Sequence, residues 1–190
     1  LPVVINAIVQ NAGQTCSAGS RVLIEQGIYK PMLERLGAAF ESLRVGPAAL
    51  DLDVGPLIRQ SQQQRVWDFL SDAQSAGIPV VAHGRVVDEA PEAGFFQAPV
   101  LLADVPVAHR VAQEEVFGPF ATFVIFDEIE DAIRIANDSA FGLVAYVWTG
   151  SVANAMRCSR GIRAGTIWIN TPMMRELRAP FGGFRESGIG

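Results

Sequence analysis

Two hydrophobic periods alternate along the chain. Residues 3–10 are apolar on most sides, which predicts a short buried helix leading into a glycine-bounded turn. Val22, Leu23 and Ile24 predict a strand over residues 21–25. With Gln26-Gly27 as punctuation, apolar residues at 32, 33, 36, 39, 40 and 43 predict an amphipathic helix over 30–43. Residues 45–56, rich in Gly, Pro and Asp, read as a loop. Val66, Phe69, Leu70 and Ala73 then predict a second helix over 61–76 that Gly77 stops. Strands are expected at 79–82 and 95–102, with a turn near Gly84 between them.

The run 120–126 is almost wholly apolar, with β-branched and aromatic residues, as expected of a strand covered on both faces at the centre of a sheet. A helix over 127–137, a strand over 144–149, a helix from a Ser151 cap to Arg160 and a strand over 164–170 follow. This alternation predicts an α/β fold, a mostly parallel sheet with helices on both faces, in one domain. The glycine-rich residues 181–190 have few apolar anchors and read as a loop. Trp67, Trp148 and Trp168 fall on apolar faces and are expected in the core, Cys158 is expected to pack on its helix, and His83 and His109 are expected at the surface.

Composition narrows the class of protein. A chain of 190 residues with 49% hydrophobic and 18% charged residues can bury a substantial core. A net charge of −5, with Lys and Arg scattered, offers no attraction to nucleic acid or anionic lipid. No apolar run approaches the roughly 20 residues of a transmembrane helix, so neither a nucleic acid nor a membrane is an expected partner. Two cysteines more than a hundred residues apart make neither a disulfide framework nor a metal site, and a reducing cytoplasm is the default compartment. The opening Leu-Pro-Val-Val-Ile-Asn-Ala lacks a start methionine and a basic n-region. It reads as an interrupted helix, so the chain is expected to begin mid-protein.

Candidate chemistry centres on Cys16, in Asn11-Ala-Gly-Gln-Thr-Cys-Ser-Ala-Gly-Ser-Arg21. Among small residues, with Gly13 and Gly19 three positions to either side, a thiol sits where the backbone turns tightly and a substrate can approach. A structural cysteine more often sits among Leu, Val and Ile, and spacing by itself leaves both readings open.

Gly-Gln-Thr-Cys-Ser-Ala-Gly-Ser-Arg resembles the active-site segment of the NAD(P)-dependent aldehyde dehydrogenases. Two further stretches resemble the same family in the same order: Glu114-Glu-Val-Phe-Gly-Pro119 and Pro180-Phe-Gly-Gly-Phe-Arg-Glu-Ser-Gly188. The resemblance runs from Leu1 to Gly190. It implies that Cys16 attacks an aldehyde carbon, with its own backbone N–H among the donors to the developing oxyanion. Hydride loss to NAD or NADP would leave a thioester that water hydrolyses. A free thiol is mostly protonated at neutral pH, so a base is needed. In the family that base is a glutamate of an upstream Glu-Leu-Gly-Gly segment, and neither it nor the upstream oxyanion asparagine occurs in this chain. Nor does anything here resemble the Rossmann glycine-rich turn. The resemblance therefore implies the catalytic domain, residues 1–190, without the dinucleotide-binding domain or the C-terminal oligomerisation strand.

The same resemblance assigns Glu115 to the hydroxyls of the nicotinamide-side ribose and Phe117 to the nicotinamide ring. Their plain alternatives are a solvated acidic turn and a core aromatic. It places Asn170 in the substrate tunnel or in support of the cysteine loop, against an ordinary strand-ending turn residue, and Phe181 in the aldehyde pocket, against a loop residue covering the core. Arg175-Glu-Leu-Arg178 resembles the hydroxymuconic-type semialdehyde dehydrogenases, which implies a carboxylate-bearing aldehyde gripped by Arg175 and Arg178. Two solvent-facing arginines, one paired with Glu176, is the alternative. At the level of function, an acylating, coenzyme A-dependent relative and a truncated, non-catalytic assembly module stand beside an aldehyde dehydrogenase. An apolar surface facing the absent domain favours a homo-oligomer, and this piece alone is expected to have no turnover.

Overall fold

The computed structural model describes residues 1–171, 174 and 176–190, so Arg175 lies outside the described residues. They form two compact units, Leu1–Ile125 and Phe126–Gly190.

In the first unit, helix α1 (Pro2–Val9) buries Ala7, Ile8 and Val9, with Pro2 in its first turn, where a missing N–H costs nothing. Strand β1 (Arg21–Glu25) runs directly into helix α2 (Gln26–Ser42). The helix thus begins four residues before the expected start and takes in Gly27 and Pro31. Pro31 lies in the second turn and removes one intrahelical N–H bond, a loss that the burial of Tyr29, Leu36 and Phe40 offsets. After the short β2 (Arg44–Val45) comes helix α3 (Gln60–Ser75), which buries Val66, Phe69 and Ala73. Strands β3 (Val80–His83), β4 (Arg85–Val86) and β5 (Val100–Leu102), helix α4 (Arg110–Gln113) and strand β6 (Phe120–Phe126) complete the series.

The main sheet has the order β1-β6-β5-β3, which puts β6 inside it, as its apolar run predicts. Strands β5 and β6 pair in parallel, with Val100 opposite Phe120 and Leu102 opposite Thr122. The α4-bearing connection between them has the length a parallel crossover needs. Strand β3 joins β5 antiparallel, and β2 and β4 pair in parallel. Pairing starts at Val100 and not at residue 95 because Pro99, one residue earlier, has no N–H to give a ladder. Helix α2 packs on β1, β3 and β5, and Leu36, Phe40, Leu101, Leu102, Phe120 and Phe123 are fully buried.

In the second unit, helix α5 (Ile129–Asn137) carries Glu130 and Asp131 in its first turn and Arg134 in its last, each opposing the helix dipole. Strand β7 (Val144–Val147) pairs in parallel with β8 (Thr166–Ile169) through helix α6 (Val152–Gly161). The Ser151 hydroxyl accepts from the Asn154 N–H, which makes it the expected cap of α6. Of the three tryptophans only Trp168 is buried, stacked on Tyr146 at 5.0 Å with its Nε1–H donated to the Met174 carbonyl. Trp67 and Trp148 are half exposed, against expectation, since a helical or strand stripe does not reveal whether a second layer covers it. Residues 181–190 are held by polar bonds, not apolar anchors. Phe184 N–H donates to the Gly142 carbonyl at 3.0 Å, Glu186 N–H to Ala140 at 3.0 Å, and the Arg185 guanidinium to the Asn137 and Ser139 carbonyls. No helix of the described residues is long and apolar enough to cross a membrane.

One buried clamp gives the first unit an alkaline signature. The Tyr29 hydroxyl donates to Asp104 Oδ1 at 2.8 Å and accepts from the Asp104 N–H at 3.1 Å, holding Asp104 at φ 51°. Burial first, then the Asp104 carboxylate, push the phenol up to about 12. The neutral form is favoured in the folded state, so this stability is complete below pH ~10 and lost as pH rises toward 12. Tyr29→Phe is expected to cost about 1–2 kcal/mol in urea unfolding at pH 7 and to flatten the decline of stability between pH ~10 and ~12.

Candidate active site

Leaving α1, the backbone takes left-handed φ at three successive residues, Asn11 (52°), Ala12 (54°) and Gly13 (72°). Asn tolerates this region better than most residues and glycine pays nothing there, whereas Ala12 is strained. The Asn11 and Gln14 side chains stabilise the kink reciprocally: Asn11 Nδ2 donates to the Gln14 carbonyl at 2.9 Å and Gln14 Nε2 to the Asn11 carbonyl at 3.1 Å. Gln14 Oε1 also accepts the Ile58 N–H at 2.9 Å, tying the loop to the chain just ahead of α3. At the loop's far end the Gly19 N–H donates to the Ala7 carbonyl, and the Ser20 carbonyl accepts the Thr122 N–H of β6 at 2.8 Å. Cys16 stands exposed within this frame, while Ser17 beside it is buried.

The opposite wall is the segment between α4 and β6. Phe117 has φ 57°, a left-handed residue without glycine's freedom. Gln62 Nε2 of α3 donates to both the Val116 carbonyl at 3.0 Å and the Phe117 carbonyl at 2.7 Å, and the Arg65 guanidinium donates to the Glu115 carbonyl. Arg65 and Arg110 flank the buried Phe69 ring at 4.9 and 4.2 Å, a cation–π pair of contacts. Arg110 pairs with Glu114 at 3.2 Å, and Asp72 lies 3.6 Å from His109 Nε2, so His109 is partly covered as the cap of α4.

The two walls meet in one cavity of about 30 Å³, lined by Gly13, Thr15, Cys16, Ala18, Ser20, Glu115, Phe117 and Gly118. Three residues singled out from sequence, Cys16, Glu115 and Phe117, therefore come together although a hundred positions separate them. Burial raises the Glu115 carboxyl above its ordinary value, and the Arg65 charge opposes that rise without cancelling it. An acceptor carboxylate beside an exposed thiol and an aromatic ring fits the hydroxyl-rich end of a nicotinamide nucleotide. The cavity itself has room for a reacting carbonyl or a water or two, not for a dinucleotide.

The remaining candidates lie in the second unit. Asn170 follows β8 at φ 52°, and its carboxamide closes on one residue, with Oδ1 accepting the Thr149 N–H at 2.9 Å and Nδ2 donating to the Thr149 carbonyl at 2.8 Å. That is the bonding of a strand-ending turn residue. Phe181 is half exposed. Arg178 forms a two-bond fork with Glu176, 2.8 Å on each arm, and this partner holds the Glu176 carboxyl down at about 2.

Gln62 and Arg65 escape a sequence reading. In the run Gln60-Ser-Gln-Gln-Gln-Arg65 they look like a solvated helix face, and their one signal is the i,i+3 spacing that puts both on one side. The fit between the walls depends on Gly13: a Cβ there would overlap the Gly118 carbonyl, and φ 72° disfavours any side chain. Gly13→Ala is expected to cost at least about 2 kcal/mol in urea unfolding. Gly27→Ala, on α2 with open space around it, is expected to be neutral or to gain up to about 1 kcal/mol.

The aldehyde dehydrogenase family model matches residues 1–190. An aldehyde dehydrogenase of Aspergillus niger is 39% identical over 184 residues, 96% of this chain and 36% of the fungal protein. A crystal structure of a Burkholderia cenocepacia relative superposes with a TM-score of 0.97 at 57% identity, covering 100% of this chain and 40% of that one. The NAD+ complex of an aldehyde dehydrogenase from Bacillus cereus has a TM-score of 0.92 at 34% identity, covering 100% of this chain and 38% of that one. The chain thus spans a little over a third of the length of the relatives it matches, and its α/β fold is theirs. By sequence along its whole length and by fold, it belongs to the aldehyde dehydrogenase family.

Proposed function

We propose that this chain carries the nucleophile half of an aldehyde-oxidising active site, and that Cys16 is the nucleophile. The observation that carries the reading is the shared cavity: an exposed thiol, a carboxylate and an aromatic ring line one space the size of a carbonyl group. The Cys16 sulfur, as thiolate, forms a bond to the aldehyde carbon while the carbonyl π pair moves onto oxygen. The Cys16 N–H is the near donor to that oxygen. Glu115 would accept hydrogen bonds from the ribose hydroxyls of NAD or NADP, and Phe117 would pack beside the nicotinamide. A nicotinamide cofactor, when bound, would be the acceptor for the hydride lost from the former aldehyde carbon, and Cys16 would then hold the acyl group as a thioester. Water then opens the thioester, releasing the carboxylic acid and restoring the thiol. The NAD+ complex of the Bacillus cereus relative supports this choice of cofactor.

A carboxylate-bearing semialdehyde belongs to the same proposal as its substrate class. Arg178 is engaged by Glu176, so a substrate carboxylate would bind by exchanging with that internal one. The exposed apolar side chains of the second unit, among them Val152, Leu177 and Ile189, favour self-association.

In the intact enzyme, Cys16→Ser is expected to lower kcat for aldehyde oxidation by at least about a thousandfold. Glu115→Gln is expected to raise the KM for NAD or NADP by about tenfold. Retention of wild-type kcat by the serine variant would reject the nucleophile. The 190-residue chain by itself is expected to form no NADH from aldehyde and NAD, because its cavity does not hold a dinucleotide. Absorbance at the reduced nicotinamide band reads this directly.

A further inference from the structure

Two loops face each other across Cys16, and both take their position from one short stretch of chain. Gln14, two residues before the thiol, accepts the Ile58 N–H through Oε1. Four residues after Ile58, Gln62 donates through Nε2 to the successive carbonyls of Val116 and Phe117. Gly118, the next residue, backs onto Val66, one turn further along α3. The 58–66 segment is thus a common reference for the two walls of the cavity.

Gln62 has the more demanding task. Phe117 at φ 57° is a conformation worth about 1–2 kcal/mol of strain for a residue with a Cβ, and it persists only where neighbours over-determine it. Successive carbonyls gathered onto a single amide nitrogen are what such over-determination looks like. An extended 116–117 peptide would turn its carbonyls to opposite sides and could not satisfy one donor with both.

We propose that Gln62 is a positioning residue: by holding the Val116–Phe117 carbonyls it keeps Phe117 left-handed and so sets the width of the cleft over Cys16. This rests on the reading of that cleft as the active site. With the amide in place, Glu115 and Phe117 line the same narrow cavity as the thiol. Without it, the 115–117 segment relaxes outward and Cys16 becomes more open to reagents of any kind.

The test uses the 190-residue chain and iodoacetamide, with Cys16 and Cys158 followed separately by peptide mass spectrometry. Cys158 is buried and reports loss of fold in its own unit, while thermal melting by circular dichroism reports the whole chain. Gln62→Met keeps the length and removes the donor. It is expected to raise the Cys16 alkylation rate by about threefold to tenfold, the worth of one or two net hydrogen bonds, with Cys158 still protected. Gln62→Lys, which restores an N–H donor, is expected to return the rate to within about twofold of wild type. Gln64→Met, on the same helix but with its amide donating to Asp68, is expected to leave it unchanged. If Gln62→Met melts early, Gln62→Asn, too short to reach both carbonyls, takes its place. A folded Gln62→Met or Gln62→Asn that alkylates at the wild-type rate overturns the proposal, as does an equal rise in Gln64→Met. Unfolding of both Gln62 variants also overturns it, because Gln62 would then support the unit at large. Alkylation reports the cleft whatever reaction occurs there, so failure of Cys16→Ser to abolish aldehyde oxidation would leave this result standing and reject only the catalytic reading.

Discussion

Backbone against backbone, with no side chain between, is the contact on which the first unit's site depends. Gly13 and Gly118 approach so closely that a methyl group on the first would occupy the space of the second's carbonyl. To reach that contact the chain leaves α1 through three left-handed residues, one of them an alanine. A strained exit of this kind costs on the order of a few kcal/mol, and the surrounding structure must offset it. It does so on both sides. Ile8 and Val9 are buried ahead of the kink, and Pro119, Phe120 and Ala121 are buried behind Gly118. The hydrophobic interior thus pays for the geometry at its rim.

Long polar side chains acting on carbonyls complete what the glycines begin. Asn11, Gln14, Gln62 and Arg65 each donate to main-chain oxygen, and none of them needs a partner side chain to do so. A carbonyl is always present at its position in the chain, so such bonds fix loop shape without constraining loop sequence. Charge enters one layer further out. Arg65 and Arg110 both lie over the Phe69 ring, and Arg110 reaches Glu114 and Asp72. Helix α3 is joined in this way to the residue immediately before Glu115. The raised carboxyl of Glu115 follows from the same arrangement, in which withdrawal from water outweighs one nearby guanidinium.

Much of this was legible in the residues. Strands β1 and β6 occupy the stretches their apolar runs predict, because a continuous β-branched and aromatic run has few other uses. The Ser151 cap and the helix it starts are where the capping chemistry puts them. The convergence of Cys16, Glu115 and Phe117 was readable only through family resemblance, since no periodicity links residues a hundred positions apart. Other features were hidden for physical reasons. Gly27 and Pro31 look like breaks, yet α2 runs through them because its burial lies further along. Trp67 and Trp148 sit on apolar stripes and stay half exposed, which the stripe itself does not reveal. The reach of Gln62 over 54 and 55 residues leaves no trace in a polar helix face.

The end of the chain shows how far glycine can replace a hydrophobic anchor. A Cβ on Gly165 would strike the Gly182 carbonyl, and one on Gly183 would press on the Gly142 carbonyl, so residues 181–190 lie pressed onto their neighbours main chain to main chain. With amide protons of Gly183, Phe184 and Glu186 already engaged, this tail resists the extended conformation that an endoprotease must draw into its groove. A stretch that reads as spacer behaves as an annealed seam.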